Sequence, residues 1–243
     1  MITIGVDTAA RVGGVAVVKD GALLGQFVMG KEESHSEYLL PSLEALLERL
    51  SIRMEDVGAI GVSIGPGSFT GLRIGLAAVK GIAFARAIPV VGVSTLLATA
   101  WSMAGAAGMI CSSLDARRES VFAGLFAGER LREDRRPVEP EARVAVAELA
   151  GRLVGLLEEG TDVYLVGDGS SAVARAVAAE LSGRGVKGRL VRVPMDGEAQ
   201  RPANVACIGE VESRQGARAD LVELVPNYLR LSEAERRWKQ MRS

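Results

Sequence analysis

Residues 65–75, GPGSFTGLRIG, follow the apolar run VGAIGVSI at residues 57–64 and lead into LRIGLAAVKGIAFARA at residues 72–87. The apolar run predicts a buried strand, and the alanine-rich segment predicts a helix. The glycines between them permit positive φ angles, and Ser68 or Thr70 can cap the helix that follows. The stretch therefore predicts a strand–turn–helix unit, the kind of unit from which α/β folds are built.

The chain before this unit predicts three strands and a helix. The runs ITIGV, VAVV and LLGQFVM, all within residues 2–29, predict strands because β-branched and other apolar residues dominate them. Residues 34–50 predict a helix, since Ser34 and Glu37 have the spacing of a capping box. An apolar stripe recurs along that helix: Leu39, Leu43, Leu46, Leu47 and Leu50. After the glycine stretch, PVVGV at residues 89–93 predicts a further strand.

The second half of the chain repeats this order of elements. Strands are predicted for MICSSLD at 109–115, SVFAGLF at 120–126, DVYLV at 162–166 and RLVRV at 189–193. Helices are predicted over residues 145–159, 171–182 and 203–216. The charged stretch at residues 128–143 predicts a solvated loop, because acids interrupt its bases.

The repeated β-β-β-α-β-α unit predicts an α/β protein with two lobes and a mixed sheet in each. Small residues cluster around Gly105–Gly108, which places the boundary between an N-terminal lobe of residues 1–105 and a C-terminal lobe of residues 106–243. We expect the last helix or the tail of the chain to pack back on the N-terminal lobe.

The composition of the 243 residues indicates a globular protein of balanced charge. Apolar residues make up 48% of the chain, which excludes a disordered chain. The net charge of −1 gives no indication of a nucleic-acid or membrane partner. Cys111 and Cys207 lie far apart without CxxC spacing, which is typical of a reducing compartment. The sequence shows no signal peptide and no run long enough to span a membrane, so we expect a soluble cytoplasmic protein.

The glycine stretch does not match the known phosphate-binding loops. A Walker A loop requires G-x-x-x-x-G-K-[ST], whereas Gly65 and Gly71 are one residue too far apart and are followed by Leu72-Arg73. The free N–H groups at Ser68–Gly71 could still hold an anion, or the glycines could serve only the turn and close packing. A face nearly without side chains runs along the helix: Gly71, Gly75, Ala78 and Gly81. Such a face predicts close contact with another helix, in this chain or in a second one.

The best candidates for chemistry are the acids that end the first strand of each half, Asp7 and Asp115. Two carboxylates facing a cleft between the lobes could hold a magnesium nucleotide, although each acid could instead cap its own turn. His35 is the only histidine, so a structural role is expected for it rather than metal binding. Cys111 and Cys207 lie in apolar runs, which predicts core positions rather than nucleophiles.

Several of these segments together resemble one protein family. IGVDTA, SHSEYLLP, GPGSFTGLRIGLAAVKG, LDARRESVFAGLF and PNYLR are similar to motifs of the TsaB (YeaZ) family, and the resemblance covers nearly the whole chain. It implies the two-lobed actin/Hsp70/sugar-kinase-like (ASKHA) fold. It also implies a part in the bacterial synthesis of threonylcarbamoyladenosine in ANN-decoding tRNA, at the adenosine next to the anticodon. In that pathway TsaB is a non-catalytic paralogue of TsaD, which transfers the threonylcarbamoyl group, and TsaE is an ATPase that joins them.

The resemblance implies that this chain has no complete active site of its own and requires no cofactor. TsaD carries an HxxxH metal site, whereas this chain has Leu39 four residues after His35, so no metal site is expected. Nucleotide-binding members of the superfamily carry D-x-G-[TS] in the first phosphate loop, where this chain has Asp7-Thr8-Ala9. The candidate residues for contact with ATP or ADP are Asp7, Thr8, Asp115, Arg117, Gly167, Asp168 and Gly169. An ATP-dependent kinase or ATPase of the same fold is the alternative function.

The resemblance further implies that two helices of the N-terminal lobe pair with TsaD, or with a second copy of this chain when it is alone. TsaE is the other expected partner, and contact with tRNA is expected only through the complex. The predicted interface residues are Leu39, Leu43, Leu46, Leu47, Leu50, Gly71, Gly75, Ala78, Val79 and Ile82. The leucine stripe could instead face the chain's own sheet, with other faces of the helix meeting the partner. The basic clusters Arg135-Arg136 and Arg236-Arg237-Trp238-Lys239 predict solvated surface.

Overall fold

The first half of the chain folds into a mixed β-sheet. The computed structural model describes residues 1–10, 12–30, 35–194 and 200–229. The strands of this sheet are β1 (Ile2–Asp7), β2 (Gly13–Lys19), β3 (Ala22–Met29), β4 (Val57–Gly65) and β5 (Val90–Ser94). They lie in the order β3-β2-β1-β4-β5. β4 runs parallel to both β1 and β5, whereas β2 runs antiparallel to β1 and β3.

Helices α1 (His35–Arg49) and α2 (Phe69–Arg86) cover one face of this sheet, and α3 (Thr95–Ala100) follows β5. The predicted start of α2, residue 72, is too late by three residues. The helix begins at Phe69 because Ser68 caps it, with the Ser68 hydroxyl accepting from the N–H of Gly71 at 3.2 Å. The proposed capping residue of α1, Ser34, lies outside the described residues.

The second half of the chain forms a second mixed sheet of the same design. Its strands are β6 (Met109–Asp115), β7 (Ser120–Ala127), β8 (Ala142–Ala145), β9 (Val163–Val166) and β10 (Leu190–Arg192). Its helices are α4 (Val146–Glu159), α5 (Ser170–Glu180) and α6 (Arg201–Arg214). The strand order β10-β9-β6-β7-β8 repeats that of the first sheet element by element. The predicted duplication of a β-β-β-α-β-α unit in an α/β fold is therefore confirmed.

Strand β8 was not predicted, because residues 128–143 were assigned to a solvated loop. The strand is four residues long, Ala142–Ala145, and alternates between half-buried and exposed positions. Its pairing with β7 is antiparallel and sets Val144 opposite Val121. Hydrogen bonds to a neighbouring strand stabilise β8. A run of four residues is too short for its alternation of apolar and polar residues to predict a strand.

Helices α3 and α6 each pack against the sheet of the other half of the chain. Helix α6 crosses the first sheet over β1, β2 and β4, and α3 contacts β6 and β7. Glycines in the first sheet allow the backbone of α6 to come close, because a Cβ on Gly5 or Gly61 would lie within 3.0 Å of it. The two sheets therefore share a core that includes Ala98, Trp101, Phe126 and Ile208. The lobe limits at residues 105 and 106 stay a prediction.

Candidate functional site

The glycine stretch packs against the turn that follows β1. A Cβ on Gly67 would overlap the carbonyl oxygen of Ala9, and one on Gly71 or Gly75 would overlap Thr8. The first part of the glycine face of α2, at Gly71 and Gly75, is therefore covered by a turn of the same chain. The sequence predicted contact with another helix, and this prediction is wrong for these glycines because the Thr8–Ala9 backbone already lies against them.

Hydrogen bonds hold the turn and the start of α2 together. The hydroxyl of Thr8 donates to the carbonyl oxygen of Gly71 at 2.7 Å. The N–H of Ser68 donates to the carbonyl oxygen of Ala9 at 2.5 Å. The N–H of Gly71 is occupied by the Ser68 hydroxyl. Two of the donors that were expected to bind an anion at Ser68–Gly71 therefore have acceptors within the chain.

Asp7 is buried and paired with a residue that the sequence did not single out, Arg201. Both side chains are 0% exposed, and Arg201 Nε donates to Asp7 Oδ2 at 2.7 Å. Arg201 Nη2 donates to the carbonyl oxygen of Val12 at 2.5 Å, and Asp7 Oδ1 accepts from the N–H of Ala9 at 3.1 Å. The sequence allowed Asp7 to face an open cleft between the lobes. In the structure its carboxylate is buried instead. Pro202 marks the start of a helix at Arg201, but this local signal does not identify the partner of the arginine.

In the second half of the chain, the structure brings candidate residues for nucleotide contact together at one end of β6. The N–H of Asp115 donates to Asp168 Oδ1 at 2.7 Å, and Asp115 Oδ1 accepts from the N–H of Arg117 at 2.8 Å. Gly167 has a φ of 90° and lies so close to the carbonyl oxygen of Ser113 that a Cβ would overlap it. Asp115 remains exposed, and it caps the turn between β6 and β7.

That turn has an unusual backbone. Arg117, Arg118 and Glu119 are consecutive and have φ angles of 61°, 53° and 55°, the left-handed region that residues other than glycine rarely adopt. The N–H of Val146 donates to the carbonyl oxygen of Glu119 at 2.9 Å, which ties the turn to α4. Arg143 donates to the carbonyl oxygen of Arg117 at 3.5 Å. These contacts with neighbouring elements hold the backbone of the turn in place.

The predicted interface residues other than Gly71 and Gly75 pack into the core beside the chain's own first sheet. The most buried of them, all with 7% exposure or less, are Leu39, Leu43, Leu46, Leu47 and Val79. Gly71 and Gly75 are buried, and the remaining three are half-buried against the same core: Leu50, Ala78 and Ile82. The fold already buries most of these side chains, so the alternative, in which the leucine stripe faces its own sheet, describes the structure.

Other apolar side chains of α1 and α2 remain exposed. Phe84 is 86% exposed, Leu40 is 50% exposed and Tyr38 is 48% exposed. Gly81 is also exposed on α2, and a Cβ added there would meet no described atom within 4 Å. Sequence periodicity identified the apolar stripe correctly, but it could not assign these additional apolar residues to the outer face.

The terminal motif PNYLR packs on the start of α2, although Arg230 lies outside the described residues. The ring of Tyr228 stacks on that of Phe69 with centroids 4.5 Å apart. The Arg73 guanidinium lies 4.0 Å from the centroid of Phe69, and its Nε donates to the hydroxyl of Tyr228 at 3.0 Å. The N–H of Asn227 donates to the carbonyl oxygen of Ile64 at 2.6 Å. Two motifs far apart in sequence thus form one surface.

The two cysteines are buried or half-buried, and the arginines of the first basic cluster form ion pairs within the chain. Burial raises the pKa of the Cys111 thiol to about 12 and, together with nearby Glu210, raises the pKa of Cys207. Arg135 pairs with Glu212. Arg136 pairs with Asp134 at 2.9 Å. The second basic cluster, at residues 236–239, and the side chain of His35 lie outside the described part of the structure.

Within residues 1–10, 12–30, 35–194 and 200–229, no group of three or more His, Cys, Asp and Glu side chains is placed to hold a metal ion. Over the same part of the chain, none of the helices combines the length and apolar character needed to cross a membrane.

Comparison with known proteins supports the resemblance. Residues 30–238 match the family described as TsaD, tRNA N6-adenosine threonylcarbamoyltransferase. The chain is 30% identical to the tRNA threonylcarbamoyladenosine biosynthesis protein TsaB of Bacillus subtilis over 239 residues, which is 98% of each chain. It is 34% identical to the TsaB protein of Escherichia coli over 125 residues, 50% of this chain and 53% of that one.

Solved structures confirm the fold. A Pseudomonas aeruginosa protein described as similar to peptidase YeaZ superposes with a TM-score of 0.73 at 23% identity, covering 94% of this chain and 99% of that one. A ROK hexokinase from Thermus thermophilus superposes with a TM-score of 0.52 at 17% identity, covering 89% of this chain and all of that one. The predicted two-lobed actin/Hsp70/sugar-kinase-like architecture is therefore confirmed.

Proposed function

Because the chain belongs to the TsaB family of tRNA threonylcarbamoyladenosine biosynthesis proteins, we propose that it acts in this tRNA modification as a non-catalytic subunit that pairs with TsaD and TsaE. The similarity to the Bacillus subtilis protein extends over 98% of both chains, which supports a shared function rather than a shared domain. We place this activity in the cytoplasm, where tRNA is modified, and assign contact with tRNA to the complex.

The observation that carries the non-catalytic role is the burial of Asp7. Its carboxylate is 0% exposed and forms an ion pair with an equally buried Arg201, so it is not available to bind a metal ion. A buried carboxylate that already has a charged partner gains little from a second cation, which would first have to displace the guanidinium.

The outer faces of α1 and α2 support the proposed pairing with TsaD. Phe84 exposes 86% of its surface on α2, and an exposed phenylalanine on a helix is a typical anchor for a protein partner. Gly81 leaves the backbone of α2 open to close approach three residues earlier. Burial of Phe84 in an interface would remove this apolar surface from water.

The pairing is tested by replacing Gly81 with arginine. The new side chain meets no described atom within 4 Å in the free chain, so the variant should fold, yet it would obstruct a helix packed on this face. Gly155, on α4 in the second half, is equally open and serves as the matched control. We expect Gly81→Arg to weaken co-elution with TsaD and Gly155→Arg to leave it unchanged. Equal co-elution of both variants would show that this face is not the interface.

The function is tested by incorporation of labelled threonine into tRNA. The reconstituted mixture contains ATP, bicarbonate, a TsaC-type synthase, TsaD and TsaE, with or without this chain. The proposal requires label only when the chain is present, and a loss of label in Gly81→Arg that parallels the loss of pairing. Equal label without the chain would overturn the proposed function.

A further inference from the structure

The fold family implies a magnesium nucleotide near the acid that ends β1, but the residues present at Asp7 do not fit one. The carboxylate is 0% exposed. Its Oδ2 accepts from Arg201 at 2.7 Å, and its Oδ1 accepts from the N–H of Ala9 at 3.1 Å. A magnesium ion needs about six oxygen ligands in octahedral geometry, and both oxygens of this carboxylate already accept hydrogen bonds.

The space around the turn also excludes a phosphate group. The carbonyl oxygen of Thr8 would overlap a Cβ on Gly71 of α2, and that of Ala9 would overlap a Cβ on Gly67 just before the helix. A gap that cannot hold a methyl group cannot hold a phosphate between the turn and the helix. The N–H of Ser68, which could have bound an anion, donates to Ala9 instead.

We propose that Arg201 is the resident counter-ion of Asp7 and that it closes this site to metal nucleotides. The site selects a guanidinium rather than a metal ion. The arginine joins three parts of the chain, since it lies at the start of α6 and donates to Asp7 at the end of β1 and to Val12 before β2. The inference does not depend on the pairing with TsaD.

The geometry favours a guanidinium for a physical reason. Arg201 Nε and Nη2 donate to two separate acceptors, the carboxylate of Asp7 at 2.7 Å and the carbonyl oxygen of Val12 at 2.5 Å. A planar, weakly hydrated guanidinium carries its N–H donors on three separate nitrogens of one rigid group. A lysine ammonium carries all of its donors on a single nitrogen, and a magnesium ion is strongly hydrated and donates no hydrogen bond to either acceptor. Complete burial of both partners makes this match important, because an unmatched charge would remain without water.

The test is chemical rescue of the variant Arg201→Ala, measured as the midpoint of thermal unfolding. Loss of the guanidinium leaves Asp7 buried and unpaired, which should lower the Tm by about 6–15 °C. Millimolar guanidinium chloride should raise the Tm of this variant above its value in equimolar sodium chloride, and magnesium chloride of equal ionic strength should not. In the wild-type protein guanidinium should leave the Tm unchanged or lower it.

The matched control is Arg214→Ala, which removes an arginine of the same helix that is 52% exposed and pairs with Asp20 and Glu210. Guanidinium should not raise the Tm of this control. Rescue of Arg201→Ala by magnesium as well as by guanidinium, or by neither, would overturn the proposed selectivity.

A second variant keeps the proposal testable if Arg201→Ala does not fold. Arg201→Lys keeps the charge but cannot reach both acceptors, so it should fold with a Tm below that of the wild type. Wild-type stability in Arg201→Lys would overturn the requirement for a guanidinium. Calorimetry of the wild-type protein with magnesium ATP should show no binding, and binding that is lost in Asp7→Asn would overturn the closure of the site.

Discussion

The hydroxyl of Thr8 donates a hydrogen bond of 2.7 Å to the carbonyl oxygen of Gly71, which joins the turn after β1 to the first turn of α2. The two residues are 63 positions apart in the chain. Thr8 lies beside Asp7, whose carboxylate pairs with Arg201 of α6. The glycine stretch, the first acid and the start of the last described helix therefore form one packed structure.

The first prediction compares two glycines of α2 that have different surroundings. Gly71→Ala should destabilise the protein by about 1–3 kcal/mol or more, because the added methyl group overlaps the backbone of Thr8. Gly81→Ala should stabilise it by about 0.5–1 kcal/mol, since the site is open and alanine favours the helix. Urea unfolding of both variants measures the free energies. Equal effects at the two positions would contradict the packing described here.

A second prediction compares two leucines of α1. Leu43 is 4% exposed and belongs to the core under the first sheet, so Leu43→Ala should lower the free energy of unfolding by about 2–5 kcal/mol. Leu40 is 50% exposed, and Leu40→Ala should change it by about 0.5 kcal/mol or less. Thermal or urea unfolding distinguishes the two. A large loss of unfolding free energy in Leu40→Ala, with none in Leu43→Ala, would contradict the orientation assigned to the helix.

A third prediction is a pH dependence that arises at Glu141. Burial raises the pKa of Glu141, and a hydrogen bond from the Ser94 hydroxyl partly opposes that shift. As the pH rises above the ordinary carboxyl pKa of 4.5, the unfolded state loses this proton first, so the folded state becomes relatively less stable. The folded state continues to lose stability until the pH has passed the raised pKa of Glu141 in the folded protein.

Glu141→Gln removes this ionisation and keeps an oxygen that can accept from Ser94. The stability of the variant relative to the wild type should therefore increase as the pH rises above 4.5, as measured by urea unfolding at each pH. The same substitution at the exposed Glu48 of α1 is the control for loss of a glutamate. A relative stability of Glu141→Gln that falls with rising pH would contradict the raised pKa.

The fourth prediction concerns the two cysteines. Because burial raises the pKa of Cys111 to about 12 and also raises that of Cys207, the reactive thiolate form is rare in the folded protein at pH 8. A thiol reagent such as Ellman's should therefore react slowly with the native protein. In denaturant, both cysteines of the sequence should react rapidly. A thiol that reacts at the denatured rate under native conditions would show that one of these sites is open.

Elements with a strong local pattern were predictable from the sequence. Strand β4 was expected at residues 57–64 and spans Val57–Gly65, and α1 was expected at 34–50 and spans His35–Arg49 in the described chain. Strand β8 was missed because its existence depends on pairing with β7, a contact that four residues do not reveal. The helical spacing of the leucines identified the apolar stripe of α1. That spacing does not show whether the stripe packs against the chain's own sheet or against a partner protein.

The sequence alone determined the duplicated α/β architecture, the family resemblance and the turn at GPGSFTGLRIG, because periodicity and turn chemistry act between residues close in the chain. Only the tertiary structure decided which faces of α1 and α2 are free and which cation neutralises Asp7. Arg201 lies 194 positions from Asp7, and nothing in either local sequence specifies the other. Their pairing depends on α6 crossing the first sheet, where both groups are buried and form an ion pair.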